Sequence, residues 1–331
     1  MNRRKTLTGL MALAAAGPQI ARAQSPGDRQ RRLGILMGYA ENDSEAQKRL
    51  AALKQGLTEL GWVEGRNLRI DIRWSAGDVD RATVFARELV ALNPDVLFCS
   101  TTPAAAALHR VTQTVPIVFT VVSDPVGAGF AKSLARPGGN ITGFINLEAS
   151  LVGKWLQLLK ELAPRVTQVG VMFNPQTAPY AETYMRDLSE PQRMLGIKAY
   201  AVRVSSDADI EKAIAGMART AGAGLLVMTD SFMVVHRKTA IAAAGRHKVP
   251  AIYFSSYMVE EGGLIGYGID VVDLFRRAAP YVDRILRGAK AANLPIQQPT
   301  KFELYVNARV AKALGLTIPP TIMVQANKVI E

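Results

Sequence analysis

The 331-residue chain carries one cysteine, Cys99, so no disulfide can close within the molecule. Cys99 ends the apolar run that begins at Asp95, where a small buried hydrophobe is expected rather than a nucleophile. Histidine is almost as scarce. His109, His236 and His247 are the whole complement, with neither HExxH spacing nor a cysteine neighbour, so no metal is expected. The chain has no GxSxG elbow and no GxxxxGK[ST] loop, and Gly127-Ala-Gly129 lacks the third glycine of a dinucleotide fingerprint. These absences leave no catalytic constellation and no cofactor to expect. No apolar run approaches the roughly 20 residues needed to span a bilayer. Basic side chains are interspersed with acidic ones, as at Arg69, Asp71 and Arg73, instead of forming a run with aromatics, so nucleic acid is not an expected partner.

What is present describes a globular, exported protein. Hydrophobic residues make up 49% and charged residues 21% of the chain, and its length calls for two units of about 100–150 residues. Arg3, Arg4 and Lys5 precede an apolar stretch from Leu7 to Gly17, and Ala21-Arg22-Ala23 forms an A-x-A cleavage site. Residues 1–23 therefore read as a signal peptide, by the secretory or the twin-arginine route. With no cysteine nearby, no lipid anchor is expected, and the mature protein should be free in the periplasm. Losing the four basic residues of that segment lowers the formal charge from +12 to +8.

The chain then says the same thing twice. Residues 95–120 run as an apolar strand, a Ser/Thr loop, an Ala-rich helix and Val-Pro-Ile-Val-Phe; residues 224–255 repeat the order with a helix about one turn longer. Each copy follows a strand, a charged helix and a second strand. In helix 43–60, Ala46, Leu50, Leu53, Leu57 and Leu60 recur at spacings of three and four before Gly61 stops it. Strands alternating with helices of 10 to 18 residues predict an α/β chain of two similar doubly wound parallel-sheet lobes joined by a hinge. The first lobe takes 31–143 plus about 268–300. The second takes 146–265, with 302–331 a candidate addition. Helices are expected over 178–195, 233–246, 271–287 and 306–314.

Ligands of parallel sheets gather beyond the carboxyl ends of the strands. That rule selects Tyr39, the loop Ser100, Thr101 and Thr102, and Ser123 with Asp124 in the first half. In the second it selects Asn174 with nearby Tyr180, Asp230 between Thr229 and Ser231, and Ser255. Thr102 before Pro103 reads as an N-cap, and free N–H groups at a helix start suit a carboxylate, although a plain capping role fits the residues equally. Asp230 is either a partner for an ammonium group across the cleft or only the cap of the helix that follows. Asp124 before Pro125 either faces ligand or initiates a turn; Tyr39 either stacks on ligand or is an ordinary exposed aromatic. A donor cluster opposite a carboxylate would suit a zwitterion such as an amino acid.

Ser123-Asp-Pro-Val-Gly-Ala-Gly129, followed by Leu134-Ala-Arg-Pro-Gly-Gly-Asn-Ile-Thr-Gly143, resembles the ABC-transporter substrate-binding proteins related to the tryptophan-binding TrpX group. The tail agrees through Lys301-Phe-Glu-Leu304, Ala311-Lys-Ala-Leu-Gly-Leu-Thr-Ile-Pro-Pro320 and Val329-Ile-Glu331, but departs at Gln325-Ala-Asn-Lys328, where Ala-Arg-Ala-Asp-Glu is frequent. The resemblance implies a periplasmic-binding-protein fold of type I that hands a small-molecule solute to a membrane permease and its ATPase; the chain is expected to be monomeric. The resemblance also makes an aromatic amino acid the expected solute, with Ser100–Thr102, Ser123, Asp124, Asn174 and Asp230 at ligand-lining positions. A periplasmic sensor subunit and, less well, a cleft enzyme are the rival readings.

Overall fold

Short runs of β-branched and other apolar residues form parallel strands here because helices cover both faces and bury both sets of side chains. The computed structural model describes residues 29–186 and 188–331; the expected signal peptide lies outside them. The first lobe begins with β1 (Arg31–Met37), α1 (Ser44–Glu59), β2 (Leu68–Trp74), α2 (Val79–Ala91) and β3 (Val96–Ser100). It continues through α3 (Thr102–Val111), β4 (Ile117–Val122) and β5 (Ile141–Ile145). Its sheet is wholly parallel, in the order β2-β1-β3-β4-β5. Asp43 and Asp78 cap α1 and α2 through the amides of Ala46 and Arg81, at 2.9 and 2.8 Å, each bond contributing about 1 kcal/mol.

The second lobe opens with α4 (Ala149–Leu162), β6 (Gln168–Phe173), α5 (Ala181–Arg186), α6 (Ser189–Leu195), β7 (Lys198–Arg203) and α7 (Asp207–Met217). There follow β8 (Ala223–Val227), α8 (Ser231–Val235), α9 (Arg237–Arg246), β9 (Ala251–Tyr253), α10 (Tyr257–Glu260) and β10 (Ile265–Ile269). The chain then returns to the first lobe as α11 (Val271–Leu286). It crosses back as β11 (Phe302–Asn307), α12 (Ala308–Ala313), α13 (Pro320–Gln325) and β12 (Lys328–Ile330). The second sheet runs β12-β11-β10-β9-β8-β6-β7 and is parallel except for the antiparallel β10–β11 pair. The chain thus passes between the lobes three times: after β5, at Asp270, and before β11.

Local sequence explains where the expected elements were divided. Helix 178–195 is two helices, α5 and α6. Pro191 falls in the first turn of α6, where its missing N–H does no harm; within one continuous helix its ring would clash with the preceding turn. Helix 233–246 begins earlier and breaks at His236 (φ −96°, ψ 13°), giving α8 and α9. The tail expected to hold one helix over 306–314 also holds β11, which precedes α12 and pairs with β10.

The late helix α11 completes the first core. Leu274, Phe275, Ala278 and Val282 are buried against Leu33, Leu53 and Phe98, with the Phe98 and Phe275 rings edge to face at 5.3 Å. Gly56 lets α1 approach this closely: a Cβ there would stand 2.8 Å from that of Ala279. Gly56→Val should therefore wedge the helices apart and lower the unfolding free energy by about 1–3 kcal/mol, read as an earlier midpoint in denaturant. An unchanged midpoint would show that the contact has slack.

Candidate functional site

The carboxyl ends of both sheets face one another, and between them lies a cavity of about 570 Å³, counting its open mouth. The first lobe contributes the ends of β1, β3 and β4. Tyr39 follows β1, is buried, and accepts a hydrogen bond from Ser100 Oγ at 3.2 Å. Thr101 sits between β3 and α3 with φ +94°, a backbone state that side-chain-bearing residues rarely adopt. Gly38 makes room for it, since a Cβ there would overlap Thr101 Oγ1 and come within 2.8 Å of Ser100 O. Val121, at the irregular end of β4, has φ +57° and also lines the cavity. Two strained residues in one wall are the kind of local cost that persists where a site's geometry needs it.

Thr101, not Thr102, is the N-cap residue of α3, and its hydroxyl caps nothing. Thr101 Oγ1 is buried without a hydrogen-bond partner. Thr102 Oγ1 is occupied instead by the Ser123 amide at 3.0 Å. From there a buried chain of bonds crosses the lobes. Ser123 Oγ donates to Asn146 Oδ1 at 2.8 Å, and Asn146 Nδ2 donates to Thr229 Oγ1 at 3.1 Å. Asn146 lies in the first crossing segment, so both lobes hydrogen-bond to the same side chain.

The wall of the second lobe is organised by Asp230. Its carboxylate accepts from the Asn174 amide at 2.8 Å, Thr177 Oγ1 at 2.5 Å and the Phe232 amide at 2.9 Å. The last of these caps α8, so the capping role considered for Asp230 is real, and the residue lines the cavity as well. Burial raises its pKa to about 6 in spite of those three donors. Tyr180 donates to Thr229 O at 2.6 Å, and burial pushes its hydroxyl up, keeping it a donor. Ser231 Oγ, facing the same space, is buried and unpartnered. Leu151, Trp155 and Phe254 supply apolar surface, with Trp155 Nε1 satisfied by Tyr267 O at 2.6 Å.

Of the ten residues chosen from sequence, Tyr39, Thr101, Thr102, Tyr180 and Asp230 line the cavity together. Ser100 and Ser123 stand behind the wall and hold Tyr39 and Asn146. Asp124 caps its own turn through the Gly127 amide at 2.8 Å. Asn174 faces the neighbouring groove and holds Asp230 through its backbone, while Ser255 borders a shallow depression on the far side of Arg49.

Arg49 is the main residue that sequence reasoning passed over. It is 2% exposed, lines the cavity, and lies between Tyr39 and Tyr257, with its guanidinium carbon 4.9 and 5.2 Å from the two ring centres. The signal was available: Arg49 shares the apolar face of α1 with Ala46, Leu50 and Leu53, where a charge has no structural reason to be. Among the described residues no group of three His, Cys, Asp or Glu could hold a metal, and Cys99 is buried.

The lobes also touch outside the cavity. Arg237 of the second lobe grips Glu261 with two bonds of 2.8 and 2.9 Å and reaches Asp43 of the first at 2.6 Å. Burial opposes the charge on Asp43, but the Ala46 amide and Arg237 outweigh it and hold the carboxyl below its ordinary value.

Comparison with known proteins gives a consistent picture. The profile of a family described as ABC transporter substrate binding protein matches residues 37–330. A tyrosine-binding protein of Clostridioides difficile (strain R20291) is 26% identical over 288 residues, covering 87% of this chain and 82% of the relative. A solved structure from Streptococcus pneumoniae, an ABC domain in complex with L-Trp, is 26% identical and superimposes with a TM-score of 0.83 over 91% of this chain and all of that one. The ligand-free, open structure of a substrate-binding protein with adhesive properties from Clostridium difficile is equally identical at 26%. It superimposes with a TM-score of only 0.67, over 91% of this chain and 99% of that one.

The raised pKa of Asp230 has a thermodynamic consequence. An aspartate in the unfolded chain titrates near 3.9, so between about pH 4 and 6 the native state holds a proton that the unfolded state has released. Stability should therefore fall as pH rises through that window, by about 3 kcal/mol in all, and level off above it. Asp230→Asn should remove that decline. Unfolding free energies of both proteins from pH 4 to 7 test this; a constant gap between them would place the native pKa near its ordinary value.

Proposed function

We propose that this chain, which belongs to the family of ABC transporter substrate-binding proteins, is the solute receptor of an importer and closes its lobes on an amino acid with an aromatic side chain. The observation that carries the reading is the convergence of unpartnered polar atoms. Thr101 Oγ1 from one lobe and Ser231 Oγ from the other are buried at one cavity with nothing to bond. Buried hydroxyls are nearly always hydrogen-bonded, and leaving one unsatisfied costs about 1–3 kcal/mol. A solute with polar atoms at both walls would repay that cost, and only when the lobes are closed.

The cavity's shape suits the solute class. The polar end lies between the start of α3 and Asp230, which places a carboxylate near free backbone amides and an ammonium near the aspartate. Oδ2 of Asp230 accepts one protein bond and so retains a lone pair for it. Trp155, Phe254 and Tyr180 offer faces and edges to a ring. The tyrosine-binding relative and the L-Trp complex support the aromatic class. The higher similarity to the L-Trp complex than to the open, ligand-free structure agrees with a closed geometry.

Closure would then be a two-state equilibrium biased by contacts present only in the closed form. The receptor presents that form to a permease and its ATPase outside the cytoplasm, delivered there by the export segment at residues 1–23. Neither the site nor the family calls for catalysis.

Thermal-shift titration of the mature protein with L-tryptophan, L-tyrosine and L-phenylalanine tests the reading. A true solute at 100 times its dissociation constant should add about 2.7 kcal/mol of stability, and Asp230→Ala should abolish most of the shift. No shift with any amino acid would overturn the solute class. Arg237→Met, which touches no solute, should weaken binding roughly tenfold by removing a closed-state ion pair. Equal affinity in that variant would show that closure does not depend on the pair.

A further inference from the structure

The cavity contains a buried guanidinium that forms no ion pair among the described residues, although burial is outweighed by the two neighbouring tyrosines and the more distant Glu45, which hold its charged form. Arg49 is 2% exposed, and its Nε has no hydrogen-bond partner. The carboxylates of that region are engaged elsewhere: Asp43 and Glu261 by Arg237, Glu45 by Lys48. What flanks the guanidinium is aromatic, Tyr39 from the first lobe and Tyr257 from the second. Such stacking is a weak attraction compared with the cost of taking an arginine out of water, and it leaves Nε unsatisfied. A buried guanidinium in this state lacks an anion. It is also placed to accept one, since two rings flank it and its unpartnered Nε is one of the donors of a bidentate pair.

We infer that Arg49 is the residue that reads the solute's carboxylate, so that the receptor takes organic acids and rejects neutral or cationic analogues of the same shape. This rests on the receptor reading above and adds to it the source of charge selectivity. The start of α3 carries only partial charge and Thr101 Oγ1 a neutral donor, so neither could discriminate an acid from its amide as strongly. Because Tyr257 belongs to the other lobe, an anion on Arg49 would also stabilise the lobe–lobe contact that the stacked guanidinium makes.

The experiment is a binding panel on the mature protein with matched pairs: L-tryptophan and L-tyrosine, their carboxamides, tryptamine and tyramine, and indole-3-propionate, which keeps the acid and lacks the ammonium. Wild type should prefer each acid over its amide at least 30-fold. Arg49→Met should lose at least 30-fold for the acids and bind acid and amide alike, whereas Arg49→Lys should retain part of the preference. The unliganded Arg49→Met protein should melt no earlier than wild type, because an unpaired buried charge has been removed; a structural clamp would predict an earlier melt. Wild type binding amide and acid equally, or Arg49→Met binding acids as wild type does, overturns the inference while leaving the amino-acid reading intact. Tight binding of indole-3-propionate with none of the amino acids would do the reverse. A panel with no acid bound at all counts against Arg49 as well.

Discussion

Burying polar groups between two lobes is costly unless each finds a partner, and the construction of this cleft follows from that constraint. The chain from Thr102 through Ser123 and Asn146 to Thr229 satisfies hydroxyls and an amide that would otherwise be stranded. It does so across the first crossing between the lobes, so the same bonds that satisfy the interior also set where one sheet end stands relative to the other. Asp230 is the corresponding hub on the opposite side. It takes the first amide after β6, a threonine hydroxyl of the same loop and the first turn of α8, and so ties two segments together with one carboxylate.

Of the seven buried side-chain polar atoms without a partner among the described residues, three belong to the cavity, and the others, on His109, Thr120, Asn140 and Tyr257, lie outside its lining. Thr101, Arg49 and Ser231 are unsatisfied and all line the cavity. The backbone tells the same story, since Thr101 and Val121 hold left-handed conformations at adjacent strand ends and Gly38 is kept small to admit Thr101. Strain and unsatisfied polarity persist only where something recovers the energy, and in the proposed receptor a solute bound between the lobes would do so. The ion pair between Arg237 and Asp43 adds a contact of a different kind, one that joins the lobes away from the cavity.

Much of the fold was legible because its causes are local. Short apolar strands, amphipathic helices and an internal repeat required nothing beyond neighbouring residues, and Asp43, Asp78 and Asp270 cap the helices that directly follow them. The misreadings came where a distant partner decides. β11 forms because β10 offers an antiparallel edge some 35 residues earlier in the chain. Half of the expected site residues line the cavity because the strand-end rule is a property of parallel sheets. The other half lie at the same strand ends but turn to support roles, a choice made by which hydroxyl reaches which amide.

The amino-acid sequence by itself determined the alternation of strands and helices, the doubling into two lobes and the loops that could meet ligand, since periodicity, capping and turn chemistry act over a few residues. Only the tertiary structure decided that Arg49, on a helix far from those loops in sequence, stands buried and unpaired in the cavity, and that Asn146 hydrogen-bonds to both lobes. The reason is physical: whether a polar group is satisfied depends on every element packed around it, and no local pattern records that sum.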